Sequence, residues 1–412
     1  MKRTILHVDL NAFYANVEIL YRPELRDLPV VVTGDVEARH GIILAKNQQA
    51  KQFDIKTGEA IWQAKQKCPK LICLPADYRK YLRFSRLAKA ICADYTDRIE
   101  SFGIDESWLD IGGSAQLFGT GQEIADAIRR RFREEIGITA SVGVSYNKIF
   151  AKLGSDMKKP DATTVITAEN FRETVWLLPV EDLLYVGRAT QRKLNSRMIQ
   201  TIGDLANADL RTLKLLLGVW GEMLHQYANG LDNSSVRLSG EESIVKSIGN
   251  STTATRDLVN ENDVKMVFYV LAESVAARLR QSGLKCKTIA IGLRNTELFS
   301  FERQGKLSAP TFVSTDLVQK AMELFRDHYR WERPLRSIGI RGSDLVTADR
   351  HIQIGLFDRD PVAKEKLEKT VDEIRRRFGH ESIQRCMLLQ DRKLTGINPK
   401  EDHIIHPIAF LR

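Results

Sequence analysis

The amino-acid sequence predicts an α+β protein built from several domains, and three observations lead to this prediction. A chain of 412 residues is longer than one hydrophobic core usually serves, so two to four domains are expected. Residues 1–10 and 78–166 combine short apolar strands with amphipathic helices, which indicates one sheet domain with residues 11–77 inserted. Residues 244–346 follow the order strand, helix, strand, strand, helix, strand, which is typical of a compact βαββαβ unit.

The composition is that of an ordinary soluble globular protein, with 43% hydrophobic and 28% charged residues. No apolar run approaches the roughly 18 residues of a membrane span, and the N-terminus lacks a signal-peptide core, so a cytoplasmic location without a membrane partner is expected. A net charge of +9 is compatible with a polyanionic partner, although many proteins of this size carry as much. The five cysteines, odd in number and without CxxC spacing, argue against a disulfide framework and a zinc ribbon.

A hairpin over residues 101–110, SFGIDESWLD, carries two adjacent acids, Asp105 and Glu106. Neighbouring side chains on a strand point to opposite faces, so the two acids share a site only where the chain turns or a strand begins. Residues 4–8 predict a buried strand that ends at Asp9. If this strand pairs beside the hairpin, three carboxylates form an all-oxygen site for Mg²⁺ or Mn²⁺ and for metal-assisted phosphoryl chemistry. The alternative is a solvated acidic turn.

The segment after Asp9 predicts a helix over residues 12–20. The turn before this helix presents backbone N–H groups, which suit phosphate oxygens. Phe13 and Tyr14 would then lie beside a nucleotide sugar, with core packing as the equal alternative. Strands at 29–33 and 41–45 follow, and Lys46 and Lys51 fall near the helical turns after them, where most lysines are simply solvated.

A long amphipathic helix over 78–98 leads into the hairpin, and a second helix follows it, with an apolar stripe at Ile124, Ile128 and Phe132. Residues 138–145 predict another strand, and the next helix stops at Pro160. Four lysines cluster after that strand: Lys148, Lys152, Lys158 and Lys159. A solvated helix face is the default explanation for the cluster, with Lys159 the best candidate for an anionic substrate.

The second half of the chain begins with a helical region at 167–233, which contains a Gly turn between two helices in the segment VGRATQRKL. Such a turn is typical of a helix-hairpin-helix that holds one DNA phosphate, although packing alone also explains it. A Ser/Gly-rich linker ends near residue 243. The βαββαβ unit follows, with elements predicted over these ranges: 244–249, 261–281, 286–294, 298–305, 314–328 and 335–342. A last helix is predicted over 361–378, and the loose group Asp402, His403 and His406 is rejected as a metal site.

Three segments together resemble the Y-family translesion DNA polymerases, most closely the DinB/UmuC-like members of Gram-positive bacteria: VDLNAFYANVE, SFGIDESWLD and SVGVSYNKIFAKLGSDMKKPDA. The likeness is almost chain-long and in the same order. It implies a right-hand polymerase with a ferredoxin-like palm, small fingers, a helical thumb with a helix-hairpin-helix, and a βαββαβ little finger. The implied domains are the palm at 1–10 and 78–166, fingers at 11–77, thumb at 167–233, a linker at 234–243, little finger at 244–346, and a clamp-binding segment with a C-terminal extension at 347–412.

The resemblance also implies site residues. The metal-binding catalytic carboxylates are Asp9, Asp105 and Glu106, with the Leu10 carbonyl as a further ligand and two Mg²⁺ ions, for which Mn²⁺ can substitute. Tyr14 matches a steric gate against a ribose 2′-OH. The implied nucleotide-binding residues are Asn11, Ala12, Phe13, Tyr14, Ala45, Lys51 and Lys159, and the implied DNA-binding residues are Gly187, Arg188 and Thr190. The fingers depart from the archaeal-type pattern, because Ala45, Gln48 and Lys51 stand where those members carry Thr, Tyr and Arg. A lysine cannot make the bidentate phosphate contact of an arginine.

The segment QIGLF resembles the short motif that docks bacterial polymerases on the sliding clamp (the beta subunit), with Gln353 as anchor and Leu356 and Phe357 as apolar contacts. An edge strand is the alternative. The expected function is low-fidelity translesion synthesis by a monomer, from primer-template DNA and dNTP, without a proofreading exonuclease. Two other hypotheses remain: a non-catalytic DNA- and clamp-binding scaffold of the same family, which retention of all three acids disfavours, and a palm-fold nucleotidyl cyclase, which leaves the second half of the chain unexplained.

Overall fold

A computed structural model describes residues 3–34, 41–241, 244–348 and 361–399. The described residues form two compact units, one from 3–34 and 42–241 and the other from 244–348 and 361–399. No helix in this part of the chain combines the length and apolar character needed to cross a membrane. All five cysteines are free thiols: Cys68, Cys92 and Cys286 are buried, Cys73 is half-buried and Cys386 is exposed.

A five-stranded mixed sheet organises the first unit. Its strands, in the spatial order β5-β6-β1-β7-β8, are β1 (Ile5–Leu10), β5 (Ile99–Ser101), β6 (Glu106–Asp110), β7 (Ala140–Ser145) and β8 (Thr163–Val165). β1 is central and pairs antiparallel with β6 and β7. All six of its residues are buried, as expected for an apolar strand covered on both faces.

Helices cover both faces of this sheet. The helices of the first half are α1 (Phe13–Leu20), α2 (Gln48–Lys51), α3 (Ile61–Lys67), α4 (Tyr78–Ala93), α5 (Ala115–Phe118), α6 (Gly121–Arg131) and α7 (Lys148–Met157). Leu6 and Val8 share a core with α4 and α6, where Ile124, Ile128 and Phe132 are buried as predicted. The alternate residues His7 and Asp9 bond to side chains at the other face, on and just after α7. The two-residue period of β1 thus separates a dry face from a polar one.

Gly143 on β7 lets α7 approach the sheet closely. A Cβ at this position would overlap the backbone oxygen of Ala151 and lie 2.5 Å from the backbone nitrogen of Ser155. We expect Gly143→Ala to lower the free energy of unfolding by about 3 kcal/mol or more, because backbone must move to admit the methyl group. Urea unfolding measures this loss. Gly113→Ala, where the added Cβ meets nothing within 4 Å, is the matched control. Equal stabilities of the two variants would contradict the close approach.

A three-stranded sheet lies in the segment inserted between β1 and α4. It consists of β2 (Val30–Thr33), β3 (Ile43–Lys46) and β4 (Ile72–Pro75), with β2 in the centre, antiparallel to β3 and parallel to β4. Val31, Ile43 and Leu71 belong to its small separate core. The helix predicted to reach residue 98 ends at Ala93, because the chain must turn before it enters β5.

The rest of the first unit is helical: α8 (Phe171–Thr174), α9 (Arg188–Asn195), α10 (Ile202–Asn207), α11 (Leu210–Leu217) and α12 (Val219–Ala228). The predicted Gly turn is present, and Gly187 caps the N-terminus of α9. The helix predicted before that turn is a single turn of 3₁₀ helix, Val180–Asp182, since Pro179 and the extended Leu183 limit its length.

The second unit has the predicted βαββαβ order. Its elements are β9 (Ser247–Leu258), α13 (Glu261–Gln281), β10 (Leu284–Asn295), β11 (Ser300–Thr311), α14 (Ser314–His328), β12 (Leu335–Ser343) and β13 (Val346–Thr347), followed by α15 (Pro361–Phe378) and α16 (Arg392–Thr395). The main sheet is antiparallel in the order β11-β10-β12-β9. β9 runs nine residues beyond the predicted end at 249, because its polar sequence lacks an apolar period and only pairing with β12 makes it a strand.

The C-terminal helix α15 begins and ends as predicted, and it belongs to the second unit. Arg280 on α13 is nearly buried and forms ion pairs with Glu368, at 2.8 Å, and with Asp372. Leu388 and Leu394 join the core of this unit. Residues 361–399, for which no role was predicted, therefore complete the second unit.

Candidate active site

Three acidic residues meet at one end of the central sheet. The antiparallel register places Asp9 directly opposite Glu106. Asp105 lies in the turn just before β6, and its backbone oxygen accepts a hydrogen bond from Leu10 N at 3.1 Å. The chain turns at Asp105 and β6 begins at Glu106, so Asp9, Asp105 and Glu106 all lie at the same end of the sheet.

Two lysines lie among these carboxylates. Lys152 Nζ is 2.9 Å from Glu106 Oε1 and 3.4 Å from Asp9 Oδ2. Lys159 Nζ is 2.7 Å from Asp9 Oδ2. Both ammonium groups also pair with Asp156, at 3.0 Å and 2.9 Å. Five ion pairs thus connect two lysines with three carboxylates.

The expectation of a solvated lysine face is wrong for two of the four lysines. The side chains of Lys148 and Lys152 are only 11% and 12% exposed. Lys148 pairs with Glu100 at 2.8 Å and lies over the Trp108 ring. Sequence reasoning also missed Asp156. The signal was its spacing from the two lysines, four residues after Lys152 and three before Lys159, which brings the three side chains together at the C-terminal end of α7.

The pKa values reflect crowding of like charges. Burial, followed by Asp9 and Glu106, raises the pKa of Asp105 to about 7. Burial and Glu106 likewise raise the pKa of Asp9. Burial alone would lower the pKa of Lys152, but the carboxylates of Glu106, Asp156 and Asp9 outweigh it and raise the pKa above its usual range. The carboxylates at this end of the sheet outnumber the two lysines, and the resulting excess of negative charge favours the binding of cations.

No three acidic, histidine or cysteine side chains in the described part of the chain are arranged to hold a metal ion as they stand. Instead, the Lys152 ammonium bridges Asp9 and Glu106, as a small cation would. Carboxylate and carbonyl oxygens are the ligands that Mg²⁺ and Mn²⁺ prefer. The donor set therefore fits divalent cations, provided that the carboxylates turn from lysine to metal.

His7 is a buried neighbour that sequence reasoning missed. Ser155 Oγ donates to the Lys152 carbonyl at 2.7 Å, so His7 Nδ1 donates to Ser155 Oγ at 2.8 Å. His7 Nε2 then carries a lone pair, 3.7 Å from Glu106 Oε2. Burial, with Lys152 nearby, lowers the pKa of His7 to about 3 and keeps the ring neutral.

Four aromatic rings stand beside the carboxylates. Tyr14 stacks on Tyr81, with ring centroids 4.2 Å apart and planes at 11°, and lies edge-on to Tyr78 at 5.9 Å. Phe13 is buried at 5.7 Å from Tyr14. Burial, then Tyr78 and Asp105, raises the pKa of Tyr14 well above its usual range. Tyr78 and Tyr81 come from α4, and nothing in the sequence linked them to Tyr14.

The turn between β1 and α1 is less open than predicted. The Asn11 N–H donates to the Thr139 carbonyl at 2.9 Å, and the side chain bonds Ser141 and the backbone of Asp161. Asn11 therefore holds the turn in place, and its backbone N–H is not free for a phosphate. Ala12 adopts a left-handed conformation with φ of 44° and caps α1.

The remaining predicted residues lie further out. Ala45, on β3, packs against the core that contains Phe13. Gln48 and Lys51 are exposed on the short helix α2. Gly187 and Arg188 are exposed at the N-terminus of α9, and Thr190 lies in its first turn. The clamp-motif residues, Gln353, Leu356 and Phe357, lie outside the described residues.

Family models match most of the chain. Residues 8–156 match the impB/mucB/samB family, residues 181–232 match a thumb domain described for DNA polymerase-iota, and residues 245–356 match the impB/mucB/samB C-terminal domain. Among solved structures, a Y-family DNA polymerase chimera of Dbh and Dpo4 superimposes with a TM-score of 0.74 and 22% identity, over 84% of this chain and 99% of the other. Fold and models together define the class: a Y-family DNA polymerase.

Two relatives narrow this class. A DNA polymerase IV of Acetivibrio thermocellus is 52% identical over 400 residues, which cover 96% of this chain and all of that protein. A DNA polymerase IV 1 of Bacillus subtilis is 35% identical, over 97% of each chain. The chain belongs to the DNA polymerase IV (DinB-like) group of the Y family, and it is a DNA-directed DNA polymerase of the translesion class.

Proposed function

We propose that Asp9, Asp105 and Glu106, with the Leu10 carbonyl, hold two Mg²⁺ ions for the transfer of a nucleotidyl group from dNTP to a primer 3′-OH. The observation that carries this proposal is the register that sets Asp9 opposite Glu106 beside the Asp105 turn. The ions, or Mn²⁺ in their place, would stabilise the attacking and leaving oxygens of an in-line displacement. Primer extension by variants that lack one of these carboxylates tests the proposal.

The lysines and the aromatic rings complete the proposed nucleotide site. Lys159 is 30% exposed and is held only by ion pairs, so its ammonium group can turn to the triphosphate. Tyr14, fixed by Tyr81 and Phe13, would occupy the space of a ribose 2′-OH. The small residues Ala12 and Ala45 would leave room around the nascent base pair. Room of this kind favours damaged templates and low fidelity.

We place the DNA contacts on two surfaces. The exposed N-terminus of α9, with Gly187, Arg188 and Thr190, offers backbone N–H groups to one DNA phosphate. The antiparallel sheet of the second unit offers a polar face along the duplex backbone, on which Lys306 of the edge strand β11 and Arg341 of β12 lie. Lys51 is exposed and would reach the incoming nucleotide only when the substrates are bound.

The positions of the strands in the sequence support the domain division proposed from the sequence. All strands of the five-stranded sheet fall within 1–10 and 78–166, proposed as the palm, and the three-stranded sheet falls within the proposed fingers at 11–77. A third core joins α7 to helices α8–α12, all five of which lie within the proposed thumb at 167–233. Residues 244–346 are the proposed little finger. We also propose that the protein acts as a cytoplasmic monomer.

Clamp binding through the segment QIGLF is a further part of this proposal. The elements on either side of the segment are fixed to one unit: Val346 pairs with Lys285 in the sheet, and Lys285 Nζ is 2.6 Å from Glu365 Oε1 on α15. In the sequence, the motif lies between these two anchored elements. A partner that binds the motif need not disturb either of them.

Replacing Leu356 and Phe357 together by alanine should lower the stimulation of synthesis by the sliding clamp about tenfold or more. The reason is that the two side chains would fill one apolar pocket of the clamp. Synthesis without clamp should stay unchanged. Primer extension with and without clamp measures both. The control is Val362→Ala with Leu367→Ala, since these apolar residues are 65% and 64% exposed on α15. Equal stimulation of both double variants would mean that the motif is not the docking segment.

A further inference from the structure

The five ion pairs around the carboxylates raise the question of where the lysines go when divalent cations bind. We propose that Lys152 competes with the metal ions for Asp9 and Glu106, and that Asp156 is the positioning residue that receives the lysine ammonium groups when the ions bind. This inference rests on the proposed function of the carboxylates.

Lys152 is placed as a competitor because it satisfies both strand residues at once. Its Nζ lies 2.9 Å from Glu106 Oε1 and 3.4 Å from Asp9 Oδ2, and its side chain is only 12% exposed. A divalent ion between the same two carboxylates would meet this ammonium at close range, where like charges repel strongly in a poorly solvated site. The ion and the ammonium therefore exclude each other there.

Asp156 is in a position to bind the Lys152 ammonium group after a metal ion displaces it from Asp9 and Glu106. It lies one turn after Lys152 on α7 and already contacts both ammonium groups, at 3.0 Å and 2.9 Å. Its side chain is 44% exposed, so it has room to turn with them. A carboxylate this close to a helix C-terminus is unfavourable without a cation. Ion pairs with the lysines therefore stabilise Asp156.

The absence of a preformed three-ligand cluster in the described residues fits this exchange. Asp9 and Glu106 point their carboxylate oxygens at lysine ammonium groups. The two lysines thus offset part of the negative charge of the carboxylates, and Lys159, whose ion pairs among the described residues are with Asp9 and Asp156, is the ammonium group that can turn to a triphosphate. Metal binding and lysine release are then one equilibrium.

The test measures Mn²⁺ binding to the full-length protein without nucleotide or DNA, from the electron paramagnetic resonance signal of the free ion. Lys152→Met should tighten Mn²⁺ binding about tenfold, the change expected for loss of one competing, partly buried ion pair. Asp156→Asn should weaken binding by a similar factor, because the lysines lose their second acceptor. Lys152→Arg keeps the charge and should not tighten binding.

Lys158→Met is the matched control, since Lys158 is exposed and takes no part in the five ion pairs. It should bind Mn²⁺ like the wild type. In the double variant Lys152→Met with Asp156→Asn, the weakening caused by Asp156→Asn should shrink, because the two residues act through one contact. Thermal unfolding of each variant separates loss of fold from loss of binding, and Lys152→Gln replaces any Lys152→Met protein that unfolds.

The outcomes separate this inference from the proposed function. Wild-type protein that binds no Mn²⁺, or whose binding survives Glu106→Gln and Asp9→Asn, would overturn the metal site itself. Normal wild-type binding with no change in Lys152→Met would overturn the competition and leave the metal site standing. Tighter binding in Lys152→Met with no effect of Asp156→Asn in either background would remove Asp156 from its role.

Discussion

Primer extension should fall by about a thousandfold or more when Asp105 or Glu106 is replaced by alanine. The two residues meet Asp9 at the edge of the central sheet, and burial together with mutual repulsion already raises the pKa of Asp105 to about 7. Loss of one carboxylate would remove a ligand of the proposed cations, and with it several kcal/mol of charge stabilisation in the transition state. Single-turnover extension of a labelled primer with Mg²⁺ and dNTP measures the effect.

Asp97→Asn is the control for this experiment, because Asp97 is exposed and lies just before the same hairpin. It removes a charge at the end of β5 opposite to the three acids, and we expect it to extend primers normally. Extension within a few-fold of wild type by either alanine variant would remove the assigned site. Wild-type protein that binds DNA but extends no primer would instead favour a scaffold.

Tyr14→Ala should raise incorporation of ribonucleotides relative to deoxyribonucleotides by about a hundredfold. The Tyr14 ring cannot swing aside easily, because it stacks on Tyr81 at 4.2 Å and contacts both Phe13 and Tyr78. Removing the ring would open the space that a 2′-OH requires. The ratio of kcat/KM for rNTP and dNTP on one template measures the selectivity.

Tyr14→Phe is the matched variant for the gate. It keeps the ring and removes only the hydroxyl, so sugar selectivity should stay close to that of the wild type. If the ring is the gate, the two variants differ widely. Unchanged selectivity in Tyr14→Ala would show that another group excludes the 2′-OH, and a loss in Tyr14→Phe equal to that in Tyr14→Ala would assign the exclusion to the hydroxyl.

The sequence predicted those parts of the fold in which local pattern and tertiary environment agree. The apolar run before Asp9, the acids at a turn and the stripe at Ile124 and Ile128 each have one physical explanation, and the structure shows the corresponding strand, hairpin and helix. The prediction of the strand from Ser247 to Leu258 was too short, because a polar strand is recognisable only through the strand with which it pairs.

The site was predicted in the same uneven way. Adjacent acids at a turn, such as Asp105 and Glu106, can be recognised in the sequence. Lys152 cannot, because its local sequence is the same as that of an exposed lysine. Its role depends on how closely α7 lies against β1, and that distance is set by Gly143 on a different strand. Tyr81 is distant in sequence from Tyr14, and only the packing of α4 brings their rings together.

The accessibility of the thiols has a practical consequence. Cys386 is exposed, whereas burial raises the pKa of Cys92 and Cys286 to about 12 and also raises that of Cys73. Thiolate, rather than thiol, reacts with maleimides, so the exposed sulfur is the one a fluorophore reaches first. The native chain thus offers one exposed attachment point on its second unit, from which energy transfer to labelled DNA would report the distance between that unit and the DNA.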